Sequence, residues 1–172
     1  MRALLLIAAT ALVNCAPSES FFCPPDSTAR TTNNVLSCFR GDDTMVGPFL
    51  SFPESGVLED IGWFREGEEV GSWVSFDSEG LLVTERRILN GGRQIARHWF
   101  PDGTPKIYAE WQGEALHGWF RTWHPNGHPK SEGQHTDMER VGVWKFWEPD
   151  GSLRVTVTYE GGIEVGRTPG PE

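Results

Sequence analysis

One motif, repeated at a nearly constant period, constrains this chain more than any other feature. Aligned on a glycine, five ten-residue segments read alike. They are Gly47-Pro-Phe-Leu-Ser-Phe-Pro-Glu-Ser-Gly56, Gly71-Ser-Trp-Val-Ser-Phe-Asp-Ser-Glu-Gly80 and Gln94-Ile-Ala-Arg-His-Trp-Phe-Pro-Asp-Gly103, then Gly118-Trp-Phe-Arg-Thr-Trp-His-Pro-Asn-Gly127 and Gly142-Val-Trp-Lys-Phe-Trp-Glu-Pro-Asp-Gly151. The closing glycines fall at 56, 80, 103, 127 and 151, with spacings of 24, 23, 24 and 24. Val165-Gly166 opens a sixth copy that stays incomplete. A fixed period of this length marks an array whose units bury their apolar faces against their neighbours.

Turn chemistry gives each unit its shape. Pro101-Asp102-Gly103, Pro125-Asn126-Gly127 and Pro149-Asp150-Gly151 read as three-residue hairpin loops. Pro presets φ, Asp or Asn bonds the local backbone, and Gly accepts a positive φ. Such loops place Phe52 opposite Leu58, Phe76 opposite Leu82, Trp99 opposite Pro105, Trp123 opposite Pro129 and Trp147 opposite Leu153. Each pair sets an aromatic against an aliphatic residue or proline, a combination that stabilises sheets. Twenty Gly and twelve Pro argue against a helix bundle, and an aromatic content of 12% argues against disorder.

Alternation along the strands assigns faces. One face takes the five aromatics before the turns, with Phe64, Ile88, Trp111 and Tyr159 on the return strands and Ile107, Val143, Val155 and Val157 beside them. This is the expected hydrophobic face. The other carries mostly polar residues and a second aromatic row, Phe49, Trp73, Phe120 and Trp144, interrupted by Ala96. That second row is the candidate binding row. The same alternation puts Arg97, Arg121 and Lys145 on the hydrophobic face, unless the Gly two residues before the second row forms a bulge that shifts the phase.

The pattern G-x-[W/F]-x-x-[W/F]-x-P-[D/N]-G, with a return strand ending near Trp111-Gln112-Gly113 or Tyr159-Glu160-Gly161, resembles the bacterial variant of the MORN repeat over residues 46–166. The copy at 94–103 departs from it at Gln94 and Ala96. The resemblance implies an all-β fold: an elongated, twisted antiparallel meander of about five hairpins. It also implies a binding or scaffolding role, antitoxin-like in some bacterial relatives, and it brings no catalytic residue.

The first residues read as an address. Met1-Arg2 precedes an apolar run from Ala3 to Val13, the build of a secretory signal over 1–14 and too short to span a bilayer. Leu12-Val13-Asn14-Cys15 resembles the bacterial lipobox, in which the Cys is lipidated; Asn14 departs from the Gly, Ala or Ser usual there. Export without a lipid, after ordinary signal cleavage, is the alternative. The chain has three Cys. With Cys15 taken by lipid, Cys23 and Cys38 remain as a disulfide pair closing a loop of about 16 residues. Residues 15–45 thus form a tether and a disulfide-closed segment able to cap the first hairpin, and 167–172 form a disordered tail.

Candidate chemistry is sparse. His124 and His128 oppose one another across a turn, with Glu148 at the equivalent place in the next repeat. Turn-flanking polar residues account for them without a metal, and no metal or cofactor is expected. The rows Arg97, Arg121, Lys145 and Lys106, Lys130, Arg154 recur with the repeat; they read as a solvated face or as a ladder for anionic groups. No nucleophile elbow or phosphate loop is present. A net charge of −9 excludes binding of nucleic acid through backbone charge. The function expected is therefore a non-enzymatic envelope protein, attached to a membrane only through the Cys15 lipid, that docks a protein partner. Carbohydrate or peptidoglycan binding through exposed Trp rows is the alternative, with neutralisation of an exported toxin as a further one.

Overall fold

The computed structural model describes residues 22–53 and 56–171. The signal segment, the tether and Cys15 lie outside the described residues. The chain forms one open antiparallel sheet of 13 strands in strict sequence order. The strands are β1 (Ser27–Thr32), β2 (Val35–Arg40), β3 (Met45–Ser51), β4 (Asp60–Arg65), β5 (Glu68–Phe76), β6 (Leu82–Ile88), β7 (Arg93–Trp99), β8 (Pro105–Gln112), β9 (Ala115–Trp123), β10 (Pro129–Thr136), β11 (Glu139–Trp147), β12 (Leu153–Glu160) and β13 (Ile163–Pro169). A 3-10 turn, Asn90–Gly92, joins β6 to β7.

The turns follow their residues. In the loop after β7, Phe100 N–H donates to the Thr104 carbonyl at 2.8 Å and Gly103 N–H to the Phe100 carbonyl at 2.8 Å. Asp102 Oδ1 accepts the Thr104 N–H at 2.9 Å, and Gly103 sits at φ +82. The loops after β9 and β11 repeat this arrangement. Trp99 pairs with Pro105, Trp123 with Pro129, Trp147 with Leu153 and Phe76 with Leu82, the register that the turn chemistry predicts. Phe52 lies beyond the end of β3, and its N–H bonds the Asn34 carbonyl instead.

The two ends are more ordered than expected. The segment expected as a disulfide-closed loop is a hairpin, β1–β2, that extends the sheet, and Cys23 is bonded to a fully buried Cys38. The expected tail continues β13, with Arg167 paired to Val157 and Pro169 to Val155.

The two aromatic rows come out reversed, whereas Phe64, Tyr159, Val155 and Val157 line the core face as expected. Antiparallel partners project to the same side of a sheet. Ser37 pairs with Phe49, Phe49 with Gly62, Ala109 with Phe120, Phe120 with Gly133 and Trp144 with Val157, so the second aromatic row lies on one face. That face is the core. Trp144 is 1% exposed, and Val155 and Val157 beside it are buried. Phe49, Phe64 and Trp73 form one ring cluster with centroids 5.2–5.7 Å apart. Phe120, His135, Trp144, Phe146 and Tyr159 form another.

The ladder skips Lys106, Lys130 and Arg154 beside the turns, which shifts the return strands by one residue and sets Val155 and Val157 on the Trp144 side; a bulge and a missing side chain then seat the rings. Gly47, Gly71, Gly118 and Gly142 sit at positive φ within strands, where the ladder register shifts. At β10–β11, Glu132 pairs with Lys145 and Gln134 with Val141, leaving Gly133 opposite three residues. The extra length swings Trp144 over Gly133, where an added Cβ would fall inside the indole; Gly62 stands in the same relation to Trp73. Val143, expected in the core, is 56% exposed.

Candidate functional site

With the aromatic row buried, the reverse face carries the accessible chemistry. One continuous row of paired residues crosses it. Its first half is apolar: Leu36, Leu50, Ile61 and Val74. Its second half is ionic: Glu85, Arg97, Tyr108, Arg121, Glu132 and Lys145 on β6 to β11.

The ionic half is held in place by its own neighbours. Arg97 Nη1 lies 3.1 Å from Glu85 Oε2, and Arg121 Nε lies 3.4 Å from Glu132 Oε2. The Arg97 and Arg121 guanidiniums lie 5.7 and 5.9 Å from the Tyr108 ring, within cation–π reach. Arg121 also lies 4.7 Å from the Trp119 ring. Tyr108 Oη donates to Glu110 Oε1 at 2.6 Å, and Glu110 Oε2 accepts the Trp119 N–H at 3.1 Å. Burial, then the bond to Glu110 and its charge, hold the Tyr108 phenol above its ordinary range. Trp119 is 37% exposed here, and Trp63 is 47% exposed on the same face, paired with Pro48. The result is a pre-set surface of mixed charge, two arginines about Tyr108 flanked by glutamates, with planar groups and apolar residues at its margin.

The residues singled out in the sequence are distributed as follows. Cys23 and Cys38 form the disulfide. The candidate binding row is corrected: Trp144 is buried, and Phe49, Trp73 and Phe120 are half-buried in the same core row. Gly62 and Gly133 let Trp73 and Trp144 lie down onto the sheet, while Phe49 and Phe120 face the small residues Ser37 and Ala109. Among the described residues no ring contact joins Trp99, Trp123 and Trp147.

His124 and His128 tie one hairpin to the next. His124 Nε2 lies 3.1 Å from the Trp147 carbonyl, and His128 Nδ1 lies 2.9 Å from the Pro149 carbonyl. Asn126 Nδ2 donates to that same Pro149 carbonyl. Glu148 pairs with Arg154 at 3.6 Å. Among the described residues no group of three or more His, Cys, Asp or Glu could hold a metal ion.

The two basic rows separate. Arg97, Arg121 and Lys145 belong to the ionic row. Lys106, Lys130 and Arg154 are the residues skipped by the ladder beside each turn, and Arg154 lies 5.9 Å from the core-side Phe146 ring. Sequence reasoning missed Trp119 and Tyr108, and read Glu110 only as one of the polar residues of its face. The signal was available: Trp119 adjoins Phe120, so the two project to opposite faces.

Residues 116–137 and 140–160 match the model of the MORN repeat variant. These segments are the hairpins β9–β10 and β11–β12, which carry the Phe120 and Trp144 bulges. A search of curated proteins gives no match. Among solved structures, a mutant of S. aureus TarM in complex with Fondaparinux, alpha-GlcNAc-glycerol and UDP is similar at 10% identity, over 55% of this chain and 19% of that one, with a TM-score of 0.39. A crystal structure of TarM is similar at 12% identity, over 59% and 20%, with a TM-score of 0.38. The chain thus spans about a fifth of the length of these structures.

Proposed function

We propose that this chain is a non-enzymatic binding or scaffolding protein that docks a protein partner on the reverse face of its repeat sheet. A repeat-based binding role is what the MORN-variant match suggests. The observation that favours the finer reading is the burial of Trp144 at 1% exposure, with Phe49, Trp73 and Phe120 half-buried in the same row, which suits packing better than a solvent-open platform for sugars. The exposed Trp63 and Trp119 sit on different repeats of the other face, Trp119 beside Arg121 of the ionic row and Trp63 in the apolar half. Isolated aromatics flanking fixed charges suit a protein interface, where Trp, Tyr and Arg supply most of the binding energy.

The test is cross-linking in the native host with a photoreactive residue at Val143, exposed on the same face, in the wild-type and Trp119→Ala backgrounds. One discrete adduct that disappears with Trp119→Ala supports the reading. Adducts unchanged by Trp119→Ala, together with saturable binding of a peptidoglycan fragment, transfer the function to glycans.

The envelope address belongs to the same proposal and rests on the apolar run before Leu12-Val13-Asn14-Cys15. Metabolic labelling with a fatty-acid analogue should mark the wild type and not Cys15→Ser. A label that survives Cys15→Ser refutes that site.

A further inference from the structure

The aromatic core row is interrupted once. At four boundaries a ring on one strand faces a small residue on the preceding strand: Phe49 with Ser37, Trp73 with Gly62, Phe120 with Ala109 and Trp144 with Gly133. Each of those boundaries carries a register shift. Between β6 and β7 the sizes are inverted, with Arg86 opposite Ala96, and the ladder runs regularly with no bulge. Arg86 interacts with β5 instead, with its guanidinium 5.8 Å from the Trp73 ring and Nη2 2.6 Å from Glu69 Oε2.

The rings therefore fall into two groups, one around Trp73 and one around Trp144. Among the described residues no ring contact joins the groups. Besides the backbone ladder, the polar side-chain links between β6 and β7 among the described residues are Thr84 with His98 at 3.2 Å and Glu85 with Arg97 at 3.1 Å. Both members of the ion pair are partly exposed. A partly exposed ion pair contributes far less than a buried ring. An array coupled through nearest neighbours separates at its weakest interface.

We infer that the protein opens as two cooperative units, β1–β6 and β7–β13, joined at a β6–β7 seam that gives way before either unit unfolds. The disulfide stiffens the first unit, and the two MORN-variant hairpins lie in the second. The seam is a built-in joint across the row that carries the ionic face.

Native-state hydrogen exchange across a urea series, read by mass spectrometry on the full chain, tests this with Trp73→Phe and Trp144→Phe. Trp73 Nε1 has no hydrogen-bond partner, so Phe there removes ring area and an unpaired N–H without breaking a hydrogen bond. Amides of β6 and β7 should exchange at least about 10-fold faster than those of β4–β5 and β10–β11. Trp73→Phe should accelerate exchange within β2–β5, and Trp144→Phe within β9–β12. A substitution that changes the far unit as much as its own overturns the inference, as does seam protection equal to that of the two units.

Discussion

Replacing Trp144 by Ala tests directly which of the two aromatic rows is the core. Trp144 is the largest fully buried side chain among the described residues, and its Nε1 donates to the Gln134 carbonyl at 3.1 Å. Loss of the ring should cost about 3–5 kcal/mol, including the cavity it leaves. With a urea slope of about 2 kcal/mol/M, the midpoint of the affected unit should fall by about 2 M. The half-buried Trp123, treated in the same way, should cost about 1–2 kcal/mol, since it loses less area. Gly133 provides the sharper check. A methyl there meets the Trp144 indole, so Gly133→Ala alone should cost about 1–3 kcal/mol by overpacking. In the Trp144→Ala background that methyl enters vacated space, and alanine is the better strand residue by about 0.5–1 kcal/mol. Gly133→Ala should then be neutral or stabilising, giving a coupling of about 1–3 kcal/mol in the double-mutant cycle. Urea melts followed by far-UV circular dichroism supply all four corners. Single-mutant effects that add within about 0.5 kcal/mol, or a Trp123→Ala costlier than Trp144→Ala, refute the packing of this ring on this glycine.

Three further outcomes are expected. Burial, then the Arg140 cation, lowers the His135 pKa below the ordinary 6.5, and burial, then Lys106, lowers that of His98. A depressed imidazole stays neutral in the fold, so its contribution is full above 6.5 and is lost as pH falls through the folded value. The urea midpoint should drop as pH falls below about 6.5, and His135→Phe should flatten that drop; an equally steep profile in the variant contradicts the assignment. Reducing Cys23–Cys38 should cost about 3 kcal/mol, seen as faster hydrogen exchange in β1–β2; unchanged exchange there would show that the hairpin does not need the bond. Asn126→Ala removes the bonds to the Pro149 carbonyl and the His128 N–H and should cost about 0.5–1.5 kcal/mol, measured by thermal unfolding; a shift confined to the noise would mean that the hairpin tips do not couple.

The sequence alone determined the hairpins. Pro101-Asp102-Gly103 and its two counterparts specify their turns within five residues, and a turn of known length fixes the pairs beside it, Trp99 with Pro105 among them. The disulfide was legible as well, because Cys23 and Cys38 were the pair left once Cys15 was assigned elsewhere. These are local or combinatorial facts. Which face is the core was decided only by tertiary structure. Trp123 and Trp144 are equally apolar as letters, and alternation ranks neither above the other. The difference lies in what each ring meets across the strand boundary. Trp144 meets Gly133, eleven residues earlier in the chain, and the bulge at Gly142 supplies the slack that lays the indole on it. Trp123 meets Pro129 beside a turn and gains no such bed. The same contrast places the seam. Ala96 and Gln94 were visible as departures from the motif, but only the pairing of Ala96 with Arg86, and the ion pair of Arg86 with Glu69, turns those departures into a break in the row of rings. A side chain is buried by its neighbours in space, and the period of a repeat lists those neighbours without saying which of them leave room.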